Sequence, residues 1–321
     1  MKLLVTGGAG FIGSNFVKRQ IHDNPLSASD IVVLDKLTYA GNLANFSDSE
    51  RSLFTFIEGD ICDRNLVNRI IKQTDIVVNF AAESHVDRSI SDASAFVMTN
   101  VLGTQTLLDA SMKAGIRKFV QVSTDEVYGS IPEGSWDEES PLLPNSPYAA
   151  SKAGADLLVR SYNKTFNLDV NITRSSNNYG PYQYPEKAIP LFITNILRGR
   201  NIPIYGTGLN VRDWIHVIDH CRGIETVINS GKSGEIYNIG GGSEMTNIEI
   251  AQRILVEMAS PKSEIEFVKD RLGHDLRYSV KTKKIEDIGF TPSAQLSDGL
   301  KSTIGFYEEN PNWWGSLVKD L

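Results

Sequence analysis

Residues 6–13 read Thr6-Gly7-Gly8-Ala9-Gly10-Phe11-Ile12-Gly13; they follow a β-branched apolar run at 2–6 and open an amphipathic stretch at 11–22. Gly8, Gly10 and Gly13 satisfy GxGxxG, and Gly7, Gly10 and Gly13 satisfy GxxGxxG. The glycines let the backbone turn tightly and approach a pyrophosphate, and the free N–H groups of the helix that follows meet the anion. A motif placed between strand and helix excludes most other folds, because that context belongs to a βαβ unit.

The rest of the first half repeats the unit. Runs at 31–34, 54–58, 76–80, 119–123 and 170–174 read as strands, near-continuously apolar as in parallel strands buried on both faces. Amphipathic stretches at 65–73, 97–114 and 148–166 lie between them. The expected fold is α/β, a Rossmann-type doubly wound parallel sheet. A length of 321 residues suggests two domains. The expected division is a dinucleotide-binding domain over 1–178, with segments around 211–239 returning to it, and a smaller C-terminal substrate lobe over 179–321, where turn signals multiply.

Composition removes several classes. A net charge of −7 argues against nonspecific nucleic-acid binding, which needs a basic face. No apolar run reaches the ~18 residues of a membrane span, and the apolar start is too short for a signal peptide. Cys62 and Cys221 are far apart, so neither a disulfide framework nor a cysteine zinc site is expected. His216 and His220 stand four apart without the glutamate of HExxH, and no metal is expected. The setting that follows is reducing and cytoplasmic.

Three further features carry chemistry. Asp35 ends the second strand, where a carboxylate accepts hydrogen bonds from an adenosine ribose and repels a 2′-phosphate, favouring NAD over NADP; the neighbouring Lys36 weakens that preference. Asp60 and Ile61 follow the third strand, at the expected place of the adenine. Tyr148 and Lys152, four apart, share one helix face. For a phenol of ordinary pKa ~10 to serve as a base near neutrality, about 4 kcal/mol must come from its surroundings, and a nearby ammonium is one source. Finally Thr124, Asp125 and Glu126 follow the fifth strand, at the carboxyl edge where such sheets bind ligands. Thr124 suits a substrate hydroxyl, and the two carboxyls can divide acid and base roles if their environments split them. The same run also suits helix capping.

Together these residues resemble the extended short-chain dehydrogenase/reductases, and the Thr124-Asp125-Glu126 triplet resembles their dTDP-glucose 4,6-dehydratase branch. Supporting segments lie at 35–42, 81–89, 175–183, 210–214 and 273–278, almost the whole chain. The resemblance implies an NAD-dependent lyase. Tyr148 takes the proton of the sugar 4-hydroxyl while hydride leaves C4. Lys152 tunes Tyr148 and holds the nicotinamide ribose. Glu126 takes the C5 proton, Asp125 protonates the departing 6-hydroxyl, hydride returns to C6, and Thr124 steadies the C4 oxygen. It also implies cofactor contacts from Phe11, Ile12, Lys36, Leu37, Thr38, Phe80, Ala81, Ala82, Ser84, Thr99 and Asn178, beside the residues already named. Substrate contacts are implied for Ser84, Asn177, Lys187, Tyr205, Arg212, Asn247, Arg271 and His274, several of them cations that suit a diphosphate. Leu272 stands where the family usually has proline, which puts the stiffness of that loop in doubt rather than the chemistry. The resemblance further implies a homodimer paired through the helices at 97–114 and 148–166. A nucleotide-sugar 4-epimerase, which would not need the Asp125–Glu126 pair, and a non-catalytic NAD-binding regulator are the alternatives.

Overall fold

The structure is a computed structural model that describes residues 1–259 and 263–318; the end of the expected second lobe, 319–321, lies outside the described residues. Among the described residues there are twelve strands: β1 Lys2–Thr6, β2 Asp30–Asp35, β3 Thr55–Glu58, β4 Ile76–Asn79, β5 Lys118–Thr124, β6 Val170–Ser175, β7 Asn177–Tyr179, β8 Ile202–Tyr205, β9 Val211–His216, β10 Ile236–Ile239, β11 Glu244–Thr246 and β12 Ile265–Val268. Seven make one sheet in the order β10-β6-β5-β4-β1-β2-β3, every pair parallel. The order reverses beside β1, which opens a crevice above the carboxyl ends of β1 and β4. This is the expected doubly wound sheet. All seven residues of β5 are buried, as a central strand covered on both faces must be.

Each face of the sheet has its own apolar core. One gathers Phe16, Val17, Ile224 and Val227, from the helices Phe11–His22 and Val217–Ser230. The other gathers Val67, Leu107, Leu108 and Val159, from the helices Arg64–Ile71, Thr104–Ala114 and Pro147–Phe166. A third core, with Ile193, Ile250, Ile304 and Trp314, belongs to the C-terminal lobe. There β7, β9 and β11 form a small sheet and β8 pairs with β12. The chain crosses between the parts more than once: β9 lies in the small sheet, whereas β10 closes the edge of the large one beside β6. The Trp313 indole donates to Asn45 Oδ1 at 2.9 Å, fastening the C-terminal segment to the first half.

One expectation is corrected. The stretch 97–114 is not a uniform α-helix: Val97–Gly103 is wound more widely, as a π-helix, and only Thr104–Ala114 is α-helical. The wider turn carries Asn100 to the Glu83 backbone, whose N–H it accepts at 2.9 Å and whose carbonyl it bonds at 3.0 Å; its amide also reaches Ser151 Oγ at 2.8 Å. Such local bonds repay the poorer ladder of a π-turn. Among the described residues no helix is long and apolar enough to cross a membrane.

Candidate active site

The glycine loop shapes one end of a long cavity. Gly7 has a left-handed φ of +66°, and a Cβ there would stand 2.5 Å from the Ala81 nitrogen. A Cβ on Gly13 would stand 2.3 Å from the Gly7 carbonyl oxygen. Side chains at either position would therefore push the loop off the sheet. Gly10 caps the helix Phe11–His22 without any side-chain hydrogen bond, so its first-turn N–H groups are left for a ligand. Gly7, Gly10, Phe11, Ile12 and Gly13 all line the cavity.

Beyond the loop the cavity is lined by Asp35, Lys36, Thr38, Asp60, Ile61, Phe80, Ala81, Ala82, Ser84, Thr99 and Asn178. Asp35 is nearly buried; Oδ2 accepts the Ala9 N–H at 2.9 Å and Oδ1 the Leu37 N–H at 2.8 Å. Burial raises its pKa, and those two N–H groups oppose the rise. Lys36 is held by Asp60 at 2.7 Å. Leu37 is the one expected cofactor residue that does not line the cavity: its backbone turns left-handed, φ +51°, to reach Asp35. Glycine loop, uncapped helix and strand-end carboxylate fit the pyrophosphate and ribose of a dinucleotide.

At the other end the cavity is lined by Thr124, Asp125, Glu126, Tyr148, Lys152, Asn177 and Lys187. β5 delivers the triplet at its carboxyl end, and Thr124 caps the turn Asp125–Tyr128 through the Glu126 N–H. Tyr148 and Lys152 come from the first turns of Pro147–Phe166, which Ser146 caps by accepting the Ala149 N–H.

The two carboxyls differ. Asp125 is 2% exposed, one of its oxygens has no hydrogen-bond partner, and burial together with Glu126 and Asp213 pushes its pKa well above the ordinary carboxyl range. Burial raises Glu126 as well, but Arg271, Arg212 and Lys187 oppose the rise. The phenol of Tyr148 is pushed up by burial and by Glu126, and Thr124 pulls the other way. Lys152 gives its ammonium to the Val122 carbonyl at 2.7 Å, and burial lowers it to about 8. Lys152 therefore shares the helix face of Tyr148 without pairing with its hydroxyl.

The remaining expected substrate residues lie outside this cavity, in the C-terminal lobe. Lys187, which lines the cavity, donates to the Ser84 carbonyl at 2.9 Å. Arg212 on β9 is 4% exposed; it stacks on Tyr278 with 4.4 Å between guanidinium carbon and ring centre, and bonds the Val211, Asp275 and Leu276 carbonyls. Tyr205 ends β8 with its ring edge-on to His274, which is held by Asp270 at 2.7 Å. Arg271 lies in the same loop, and Asn247 begins the helix Asn247–Glu257 with its N–H on the Asn210 carbonyl. Among the described residues no group of three His, Cys, Asp or Glu is arranged to hold a metal ion.

Among the cavity residues that went unassigned from the sequence are Tyr39, Glu83, Tyr184 and Glu186. Arg88 lies over the Tyr39 ring at 3.8 Å and pairs with Glu186 at 3.1 Å, tying the helix Val86–Ser91 and two loops into one wall. Tyr39 and Glu83 sit in segments that carry the family resemblance, but nothing in their local spacing marks a cavity wall.

Sheet order, glycine loop and the Tyr148/Lys152 helix together define an extended short-chain dehydrogenase/reductase. The family model described as GDP-mannose 4,6 dehydratase matches residues 4–303. A dTDP-glucose 4,6-dehydratase of Streptomyces niveus is 51% identical over 321 residues, covering 99% of this chain and 96% of that protein. The structure of DesIV, the dTDP-glucose 4,6-dehydratase of Streptomyces venezuelae solved with NAD and TYD bound, superposes with a TM-score of 0.96 at 54% identity, covering 99% of this chain and 100% of that one. A UDP-glucose 4-epimerase of Thermotoga maritima shares the fold at a TM-score of 0.90 but only 28% identity, over 97% of this chain and all of that one. The chain belongs to the dTDP-glucose 4,6-dehydratase family.

Proposed function

We propose that this protein carries out the NAD-dependent 4,6-dehydration of dTDP-glucose to the 4-keto-6-deoxy sugar. The observation that carries the reading is the unequal Asp125–Glu126 pair. Two adjacent carboxyls whose surroundings push them apart suit an acid and a base working on one substrate. A 4-epimerase has no step for such a pair.

Gly7, Gly10, Phe11, Ile12 and Gly13 would hold the cofactor diphosphate, Asp35 its ribose, and Asp60 with Ile61 the adenine. Bound NAD supplies a hydride acceptor that is restored within each turnover. Tyr148 accepts the proton of the sugar 4-hydroxyl, and Thr124 steadies that oxygen. The C5 proton, acidified beside a C4 ketone, passes to Glu126, whose burial-driven rise in pKa is opposed by three cations. Asp125, held protonated by burial, delivers its proton to the 6-hydroxyl as water leaves. Ser84 and Asn177 contact the sugar. Lys187, Tyr205, Arg212, Asn247, Arg271 and His274 hold the nucleoside diphosphate.

The same reading assigns 1–178, with returning segments around 211–239, to the dinucleotide and 179–321 mainly to the nucleotide sugar. It places the enzyme in the cytoplasm as a homodimer. Exposed Val97, Met98, Leu157 and Phe166 support pairing through the helices that carry them. The deciding experiment incubates the protein separately with dTDP-glucose and UDP-glucose and follows the products by mass spectrometry. Loss of one water from dTDP-glucose in preference to UDP-glucose is expected. Isomerisation without mass change would replace this reading with the epimerase.

A further inference from the structure

Behind Lys152 on the same helix lies an ionised pair for which the chemistry above has no use. Tyr148, Lys152 and Asp156 are spaced i, i+4, i+8 along Pro147–Phe166, so all three occupy one face. All are withdrawn from solvent, Asp156 at 1% exposure. Asp156 Oδ2 accepts from Arg174 Nε on β6 at 2.9 Å, and Arg174 is itself 3% exposed. The Arg174 guanidinium also lies over the Tyr128 ring, 4.7 Å from its centre.

This is not the two-pronged fork by which arginine usually grips a carboxylate. Asp156 Oδ1 and one terminal nitrogen of Arg174 are both buried without a hydrogen-bond partner. A pair built solely to staple helix to strand would use both prongs. The arrangement leaves part of the carboxylate's charge unspent, one helical turn from a buried ammonium. Without Asp156, the buried Arg174 guanidinium would lose the carboxylate that pairs with it.

We propose that Asp156 is a positioning residue for the reaction: held in place by Arg174, its carboxylate keeps the Lys152 ammonium charged inside the protein and so sustains Tyr148 as a base. The proposal rests on the roles given above to Tyr148 and Lys152. Burial lowers Lys152 to about 8, and Asp156 is the charge that opposes the fall. Other ionisable groups stand on the elements packed against this helix. Asp87 and Arg88 come from Val86–Ser91, Asp109 and Lys113 from Thr104–Ala114, Lys118 from β5, Arg174 from β6, and Asp125 and Glu126 from the turn after β5. Most are engaged elsewhere. Asp109 binds Gln105 and Tyr162, Lys118 binds Asn171 and the Gly231 carbonyl, and Arg88 binds Glu186. The segments Ser94–Phe96 and Val97–Gly103 bring no charge.

The test is the pH profile of kcat with dTDP-glucose. Asp156→Asn keeps an oxygen for Arg174 but removes the charge, so Lys152 should lose its proton at lower pH. The basic limb should move down by about one pH unit, and Asp156→Glu should restore it. An ultraviolet titration of phenolate, read against Tyr148→Phe, should show Tyr148 ionising at higher pH in Asp156→Asn. A merely structural role would lower the melting temperature and move neither curve. Should Asp156→Asn fail to fold, Arg174→Gln compared with Arg174→Gln/Asp156→Asn isolates the same charge without stranding a guanidinium, and the same downward shift is expected. A limb that stays put in folded protein overturns the proposal. Full turnover by Tyr148→Phe would instead overturn the function on which it rests.

Discussion

The Lys36 ammonium stands 2.7 Å from the Asp60 carboxylate, bridging the turns that follow β2 and β3. This contact bears on the choice between NAD and NADP. A free lysine beside Asp35 would welcome a 2′-phosphate; one held by Asp60 does not, and Asp35 keeps its repulsion. The purified protein should release NAD, not NADP, on denaturation. Asp60→Asn should free Lys36 and raise the NADP-to-NAD binding ratio by about tenfold or more, the worth of one hydrogen bond to a charged group. Calorimetry with both cofactors checks it; an unchanged ratio would show that Lys36 has no part in the selection.

Single-turnover experiments separate the half-reactions. Tyr148→Phe lacks the first base, so dTDP-glucose should produce no reduced-cofactor absorbance. Glu126→Gln keeps that step and loses the next, so the absorbance should rise and persist with little dehydrated product. Asp125→Asn should fall between. Acid–base steps of this kind are worth about 10²–10⁴ in rate, well within stopped-flow resolution. Wild-type product formation by Glu126→Gln would reassign the base.

Two arginines expected to grip the substrate diphosphate should respond differently. Arg271→Ala removes a half-buried charge whose Nε has no hydrogen-bond partner, and should raise KM roughly 10- to 150-fold, the equivalent of ~1.5–3 kcal/mol, with little change in stability. Arg212→Ala should raise KM too, and should also lower the melting temperature, because it takes a buried donor from the Val211 and Asp275 carbonyls and uncovers Tyr278. Kinetics and thermal melts on both variants distinguish the cases.

Gly13→Ala should abolish cofactor retention. The added methyl meets the Gly7 carbonyl oxygen at 2.3 Å, and that oxygen is backbone, with no rotamer to yield. The protein should purify without NAD, and added NAD should leave its melting temperature where it is. Normal cofactor content would mean that the loop can open.

Acid stability should reveal Glu50. Burial pushes its carboxyl up, but hydrogen bonds with His22, Ser47 and Lys18 outweigh that and hold it down at about 2, against an ordinary 4.5. A carboxyl depressed by folding stabilises the protein above its unfolded value and loses that contribution as pH falls toward the folded one. The stability advantage of wild type over Glu50→Gln should therefore be full above about pH 5 and fade toward pH 2. A constant difference across that range would contradict the coupling.

The sequence by itself determined the strand–glycine loop–helix unit, the run of parallel strands and the place of Asp35, because each depends on short-range rules: φ freedom at glycine, β-branched runs and the i, i+4 helix face. It also placed the Asp125–Glu126 pair at a strand edge. Tertiary structure alone made the two carboxyls unequal, since the rise that burial gives Glu126 is opposed by Lys187, Arg212 and Arg271 from distant parts of the chain, whereas Asp125 is pushed well above the ordinary range. It likewise turned Leu37 away from the cavity, drew Tyr39 and Glu186 into its wall, and widened Val97–Gly103 so that Asn100 could bind Glu83 and Ser151. The physical reason is the same throughout: burial and through-space charge depend on neighbours in three dimensions, and no local pattern of residues encodes which neighbours those will be.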